Sequence, residues 1–192
     1  FQGAFNVKFN TAPLLCAGGE MGVKVDGINH TWEVYIGKKA TPVEAKILCK
    51  DNLKSGGYFD MQNEGIEAGF FLVVDVEAET PWIGGDELKV KGWANFGFGI
   101  DAYTNISFEP SFKINDAYIS AWANAGIGFD YKTPVKSGSV TIAGVSLAGS
   151  LLYKNHERSE IHGTMDGSVT ILNCDFGVNM ELHYDLDRKQ KI

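Results

Sequence analysis

The sequence predicts an all-β fold: an antiparallel meander of long, Gly/Ala-rich amphipathic strands forming a sandwich or barrel-like sheet. Three observations carry this. Strict two-residue alternation of apolar and polar positions runs through the chain from about residue 66 onward. No segment carries the 3.6-residue apolar period of a helix three or more turns long. Glycine-rich turn clusters separate the alternating runs, with no linker to mark a domain boundary.

The first 60 residues are the least regular. Short strands are expected at 4–9, 22–25, 31–36 and 43–48, with turns at Ala17-Gly18-Gly19, Ile36-Gly37-Lys38-Lys39 and Ser55-Gly56-Gly57. From Ile66 to Ala78, Ile66, Ala68, Phe70, Leu72, Val74 and Val76 fall on one face. A loop from Thr80 to Asp86 leads into the clearest strand, Leu88 to Phe108. Its even positions are almost all apolar, so Phe96 and Phe98 are expected in a core. A strand of that length would reach about 70 Å at ~3.3 Å per residue, so a bend or bulge is expected, with the glycines as its site. Residues 117–131 place Ile127 and Phe129 on the apolar face as well. Residues 140–153 alternate less cleanly, with a register break expected near Ala143-Gly144. The runs 161–171 and 174–186 meet at Leu172-Asn173, a two-residue hairpin turn.

One frame occurs twice. "GWANFGFGID" begins at Gly92 and "AWANAGIGFD" at Ala121, both reading W-A-N-x-G-x-G-x-D. Trp93, Asn95 and Asp101, and Trp122, Asn124 and Asp130, all point to the polar face of their strands. A hairpin turning at Glu109-Pro110-Ser111-Phe112 would set Trp93 opposite Gly128 and Gly99 opposite Trp122. Each indole would then cover the other strand's glycine. A turn at Asn115-Asp116 would break that pairing. Against this structural reading stands a functional one. Trp, Asn and Asp on a flat sheet face are the residue types that stack on pyranoses and bond their hydroxyls. The six residues are therefore the candidate glycan-binding set.

Composition excludes several functions. The net charge of −7 and the lack of a basic stripe argue against nucleic acid. No stretch approaches the ~18 apolar residues of a membrane-spanning helix. Phe1-Gln2-Gly3 reads as the remnant of a cleaved tag, leaving residues 4–192 as one all-β domain. The three cysteines, Cys16, Cys49 and Cys174, lack metal-site spacing. Cys174 is expected as a buried thiol, and Cys16 and Cys49 could pair in an oxidising compartment.

Catalysis finds no support. Gly144-Val145-Ser146-Leu147-Ala148-Gly149 has its second glycine one residue late for a nucleophile elbow, and no βα unit surrounds it. No histidine pair has H-x-x-x-H spacing, although His162 and His183 could meet across the last hairpin. No calcium-loop pattern occurs. Asn29-His30-Thr31 and Asn105-Ile106-Ser107 are formal glycosylation acceptors. No enzyme activity, cofactor or metal is expected.

Four stretches carry a resemblance: "HTWEVYIGKKATPVEAKIL" (30–48), "GYFDMQNEGIEAGF" (57–70), "AYISAWANAGIGFDY" (117–131) and "IHGTMDGSVTILNCDFGVNMEL" (161–182). In their order they resemble β-rich modules of very large secreted or surface proteins of the Bacteroidota, over roughly residues 22–186. The resemblance implies an exported, extracellular or cell-surface, modular and non-enzymatic part. It transfers no site residue. The function expected is therefore structural, adhesive or assembly-related, with other protein modules or surface glycans as partners. The alternatives are a carbohydrate-binding module or a β-barrel holding a lipid or other hydrophobe.

Overall fold

The structure is a computed structural model that describes residues 2–11, 15–47, 50, 52–84, 87–107, 112–155 and 159–186. It contains eleven strands and no helix among those residues. They are β1 (Gln2–Thr11), β2 (Leu15–Asp26), β3 (Thr31–Ile36), β4 (Val43–Ile47), β5 (Leu53–Gln62), β6 (Gly65–Glu79), β7 (Lys89–Ser107), β8 (Lys113–Lys132), β9 (Ser137–Asn155), β10 (Ser159–Ile171) and β11 (Cys174–Asp185). The alternating runs all became strands, and no described helix is long and apolar enough to cross a membrane.

The strands form one antiparallel sheet in the order β1-β2-β3-β5-β6-β7-β8-β9-β10-β11. β3 and β4 share one place in it. β3 pairs with one end of β2 and of β5, and β4 with the other end of both. Gly37 makes the passage between them. Its φ is +64°, its N–H donates to the Glu20 carbonyl at 2.7 Å, and a Cβ there would meet the Val43 nitrogen.

The long hairpin takes the register in which facing residues of β7 and β8 set Trp93 opposite Gly128 and Gly99 opposite Trp122. Glu109, Pro110 and Ser111 of its expected turn lie outside the described residues, as does Phe108. β7 runs through its glycines without a break, and its register shifts only at Asn105/Ile106. The bulge expected at the glycines is not found there: Trp122 of β8 lies over Gly97 and Gly99, and the pairing continues through them. On β9 the irregularity falls at Ile142, the extra residue between Ala143 and Thr141 where they face Ile127 and Gly128. That is one residue from the break expected in the sequence.

The last hairpin is anchored to this bulge. Leu172 and Asn173 both have positive φ, 48° and 62°, as a type I′ turn requires. Their N–H groups donate to the carbonyls of Ile142 and Thr141, both at 3.1 Å, and Thr141 N–H donates to Asn173 Oδ1 at 2.6 Å.

Because paired residues share a face, the registers assign every side chain to one of two surfaces. One is apolar throughout. It runs from Met21, Val23 and Val25 on β2, through Phe70, Phe96, Phe98 and Ile127, to Met180, Leu182 and Tyr184 on β11. Among its described residues no Asp, Glu, Lys, Arg or His occurs. The other face carries the charges, the amides and the two tryptophans of the repeated frame.

Among the described residues, no second layer covers the apolar face. The strands contact their ladder neighbours, and β1 and β11 do not pair to close a barrel. The sandwich or barrel-like closure is thus not found in the isolated chain. Among the described residues, Tyr35 alone is a buried hydrophobic residue. Phe96 and Ile127, expected in the core, are 45% and 50% exposed, while Phe98 and Phe129 are half-buried. Cys174, expected to be buried, is a free and exposed thiol for the same reason. Alternation gathers apolar groups onto one face, but burial needs a layer opposite. The accessible surface is 13199 Å², against roughly 9,000 Å² for a compact monomer of this mass. The excess is about 4,200 Å² by that scaling.

Phe98 packs only within its own layer, with ring centroids 5.9 Å from Phe70 and 6.0 Å from Phe96. Phe98→Ala should therefore cost roughly 1–2 kcal/mol in the isolated chain, below the ~3–5 kcal/mol of a closed core. Denaturant melts of the two proteins check this.

Candidate functional site

The repeated frame assembles one site on the polar face of β7 and β8. The register pairs Trp93 with Gly128, Asn95 with Gly126, Gly97 with Asn124 and Gly99 with Trp122. Each Trp thus faces the second glycine of the other copy, and each Asn faces the first. Two copies of one frame paired antiparallel in this register are related by a local two-fold axis normal to the sheet.

The ring positions show why glycine is needed. A Cβ built on Gly99 would sit 2.5 Å from Trp122 Nε1, and one on Gly97 would sit 2.9 Å from Trp122 Cζ3. On the other strand, a Cβ on Gly128 would sit 2.5 Å from Trp93 Cζ2, and one on Gly126 would sit 3.2 Å from Trp93 Cζ3. Each indole therefore spans two glycines of its neighbour. The glycines lend no side chain to the face, and the rings fill that volume and shield the backbone. Trp93 and Trp122 are half-buried as a result, and Gly97, Gly99 and Gly128 are buried. Asn95 and Asn124 stay exposed beside the rings.

The two aspartates do not converge on the tryptophans. Asp101 accepts a hydrogen bond from Tyr58 Oη at 2.7 Å, across β6 on β5. Burial and this carboxylate together push the Tyr58 hydroxyl well above the usual phenol range. Tyr58 in turn lies over Gly69, and Phe71 over Gly56, repeating the aromatic-on-glycine pairing one hairpin earlier. Asp130 stands opposite Lys91. The structure thus brings together Trp93, Asn95, Trp122 and Asn124. It sends Asp101 and Asp130 to neighbouring contacts.

A second polar cluster gathers where β3 meets β5. Asp60 is buried, and its Oδ1 has no hydrogen-bond partner. Its Oδ2 accepts from Gln62 Nε2 at 3.3 Å and lies 3.8 Å from Lys38 Nζ. Lys38 also pairs with Glu33, which Lys24 holds at 2.9 Å, and Lys38 Nζ lies 4.5 Å from the Tyr35 ring centroid. Burial, then the nearby Glu33, raise the Asp60 carboxyl above its ordinary range. Burial pushes Glu33 up too, but hydrogen bonds from Lys38 and Lys24 outweigh it and leave Glu33 lowered. Sequence reasoning passed over this cluster, because its members are scattered over residues 24–62.

The cysteines divide in two. Cys16 is disulfide-bonded and Cys174 is free, while Cys49 lies outside the described residues. On the apolar face, Ile119, Ala121, Leu147, Gly149, Leu151 and Met165 line a shallow hollow of about 370 Å³. No protein-family model matches the chain, and no curated protein or solved structure is similar to it.

The ring-on-glycine geometry makes a controlled prediction. Gly99→Ala should cost on the order of 1–3 kcal/mol, because the new methyl meets the Trp122 ring. Gly92→Ala, where the nearest atom is 3.8 Å away, should be neutral or stabilise. Trp122→Ala should cost a similar ~1–3 kcal/mol, and the double variant Trp122→Ala/Gly99→Ala should cost less than the sum. Urea melts of the four variants measure this.

Asp60 predicts a pH effect. Its folded-state pKa lies above the unfolded value, so its contribution is full at low pH and is lost as pH rises through the raised pKa. Asp60→Asn should remove that loss. The change in unfolding free energy from pH 4 to pH 7 should then be more favourable than in the unmodified chain.

Proposed function

We propose that the chain is a non-enzymatic structural and assembly module of an exported protein, and that a second copy covers its apolar face. The observation that carries this is the uncharged face from β2 to β11, open to solvent in an otherwise complete sheet. Soluble monomers rarely expose an apolar patch beyond a few hundred Å². The size scaling leaves an excess surface of about 4,200 Å² on each chain, ample for an obligate interface counted over both partners.

Two properties favour a second copy over other covers. The face carries no charge to be matched, so a surface of the same kind complements it. An isologous pair stacked face to face would form a two-layer sandwich with both charged faces outward. In that arrangement the net charge of −7 per chain stays in solvent. The disulfide-bonded Cys16 supports an oxidising, exported setting. The likeness to secreted or surface modules of the Bacteroidota points the same way.

The carbohydrate-binding reading draws on the exposed amides of Asn95 and Asn124 beside two rings on one flat face. Against it stand the close seating of both rings on glycine and the engagement of Asp101 with Tyr58.

Sedimentation equilibrium at tens of micromolar tests the proposal. The expected result is a dimer that takes up little hydrophobic dye. Leu147→Lys, at a residue 49% exposed in the single layer, should yield a monomer of unchanged strand content that binds the dye. An unmodified chain that sediments as a monomer overturns the second-copy reading, and capture of detergent or lipid by that monomer would point to a hydrophobic ligand instead.

A further inference from the structure

The polar face holds a second group of residues, far along the sheet from the tryptophans. His162 on β10 and His183 on β11 are direct cross-strand partners. Their Nδ1 atoms lie 3.0 Å apart, with ring centroids 4.2 Å apart and planes at 62°. Glu160, two residues before His162 and so on the same face, places Oε1 3.3 Å from His162 Nε2. One ligand atom from each of the three residues can be chosen so that all lie within 4.8 Å of one another. Glu160 and His162 are half-buried and His183 is exposed, so the group is open to an ion from solvent.

We propose that His162 and His183 bind a divalent transition-metal ion through their Nδ1 atoms, with Glu160 positioning His162. The distances fit this. Two nitrogens bound to one tetrahedral ion at ~2.0–2.1 Å stand about 3.3 Å apart, so the pair needs to open by only a few tenths of an ångström. The tautomers fit as well. A carboxylate at Nε2 accepts the proton of that nitrogen, which leaves His162 Nδ1 as a bare lone pair facing His183. Such a carboxylate–histidine contact is the usual support for an imidazole ligand. His183 Nε2 lies free of this pairing, so its ring can carry its proton there and offer Nδ1 to the ion.

Imidazole pairs suit Zn²⁺, Ni²⁺ and Cu²⁺ over the oxygen-seeking Mg²⁺ and Ca²⁺. The remaining coordination positions face solvent. Since the site lies on the polar face, a layer over the apolar face would leave it accessible. Pairing at neighbouring strand positions, 21 residues apart in sequence, explains why no short metal motif announces it.

Titration calorimetry of the full chain with ZnCl₂ and NiCl₂ tests the site, in buffer free of chelators and imidazole. The expected result is one ion per chain, with no heat from MgCl₂ or CaCl₂. His183→Ala and His162→Ala should each weaken binding at least 100-fold. Glu160→Gln should weaken it by about 10- to 100-fold at unchanged stoichiometry. With Cu²⁺, the electron paramagnetic resonance spectrum should show coupling to two nitrogens. Glu160→Gln should keep that signature and His183→Ala should lose it. Absence of Zn²⁺ and Ni²⁺ binding overturns the proposal. So does binding that both histidine variants retain at full strength.

Discussion

Among the described residues, the strong tertiary contacts all run between strands paired in one sheet. With a single layer there is no opposing surface to hold the strands in place. Register must therefore be fixed within the sheet, by ladder hydrogen bonds and by side chains reaching across to the next strand. The aromatic ring laid on a neighbouring glycine is the form this takes at the centre of the sheet. Phe71 lies on Gly56, Tyr58 on Gly69, Trp122 on Gly99 and Trp93 on Gly128. Each pair fits in one register alone. A slip of one residue would carry the ring to the other face and leave the glycine bare.

The same constraint explains the contrast between the two faces. On the polar face, close side-chain pairs give half-burial without a second layer. Ion pairs such as Lys91 with Glu77 and Lys89 with Glu79 run along β6 and β7 beside the tryptophans. On the apolar face, side chains are mostly Ala, Gly, Val, Ile and Phe, with little to gain from each other in one plane. Their burial depends on something stacked above them, at about 10 Å in ordinary sheet packing. The residues at the β11 edge show this most strongly, with Phe176 62% and Val178 64% exposed.

Where the meander departs from simple succession, polar groups are buried. β3 and β4 split one place in the sheet, and the crossing between them brings Glu33, Lys38 and Asp60 around Tyr35, a buried hydrophobic residue. A carboxylate oxygen without a partner at that point is costly. Its neighbours Lys38 and Gln62 offset part of the cost through the second oxygen. This corner, the bulge at Ile142 and the register shift at Asn105/Ile106 are irregular features of the ladder.

The sequence by itself determined the alternating strands from residue 66 onward, because a period of two needs no knowledge of what lies opposite, whereas Ala17-Gly18-Gly19 and Ser55-Gly56-Gly57, expected as turns, lie inside β2 and β5. It also determined the Leu172-Asn173 turn, which depends on local backbone preference, and offered the pairing of Trp93 and Trp122 with glycine as one of two registers, between which the structure decides. Tertiary structure alone decided the rest. Alternation says which residues share a face but not whether a layer covers it, so Phe96, Ile127 and Cys174 read as buried while the sheet leaves them open. The partner of Asp101, Tyr58 two strands away on β5, depends on which strand lies beyond β6. Nor could spacing bring Asp60 to Lys38, and while it let His162 and His183 meet across the last hairpin, it could not set their Nδ1 atoms facing each other. Those meetings follow from strand order and from the direction of a side chain, and a linear pattern contains neither.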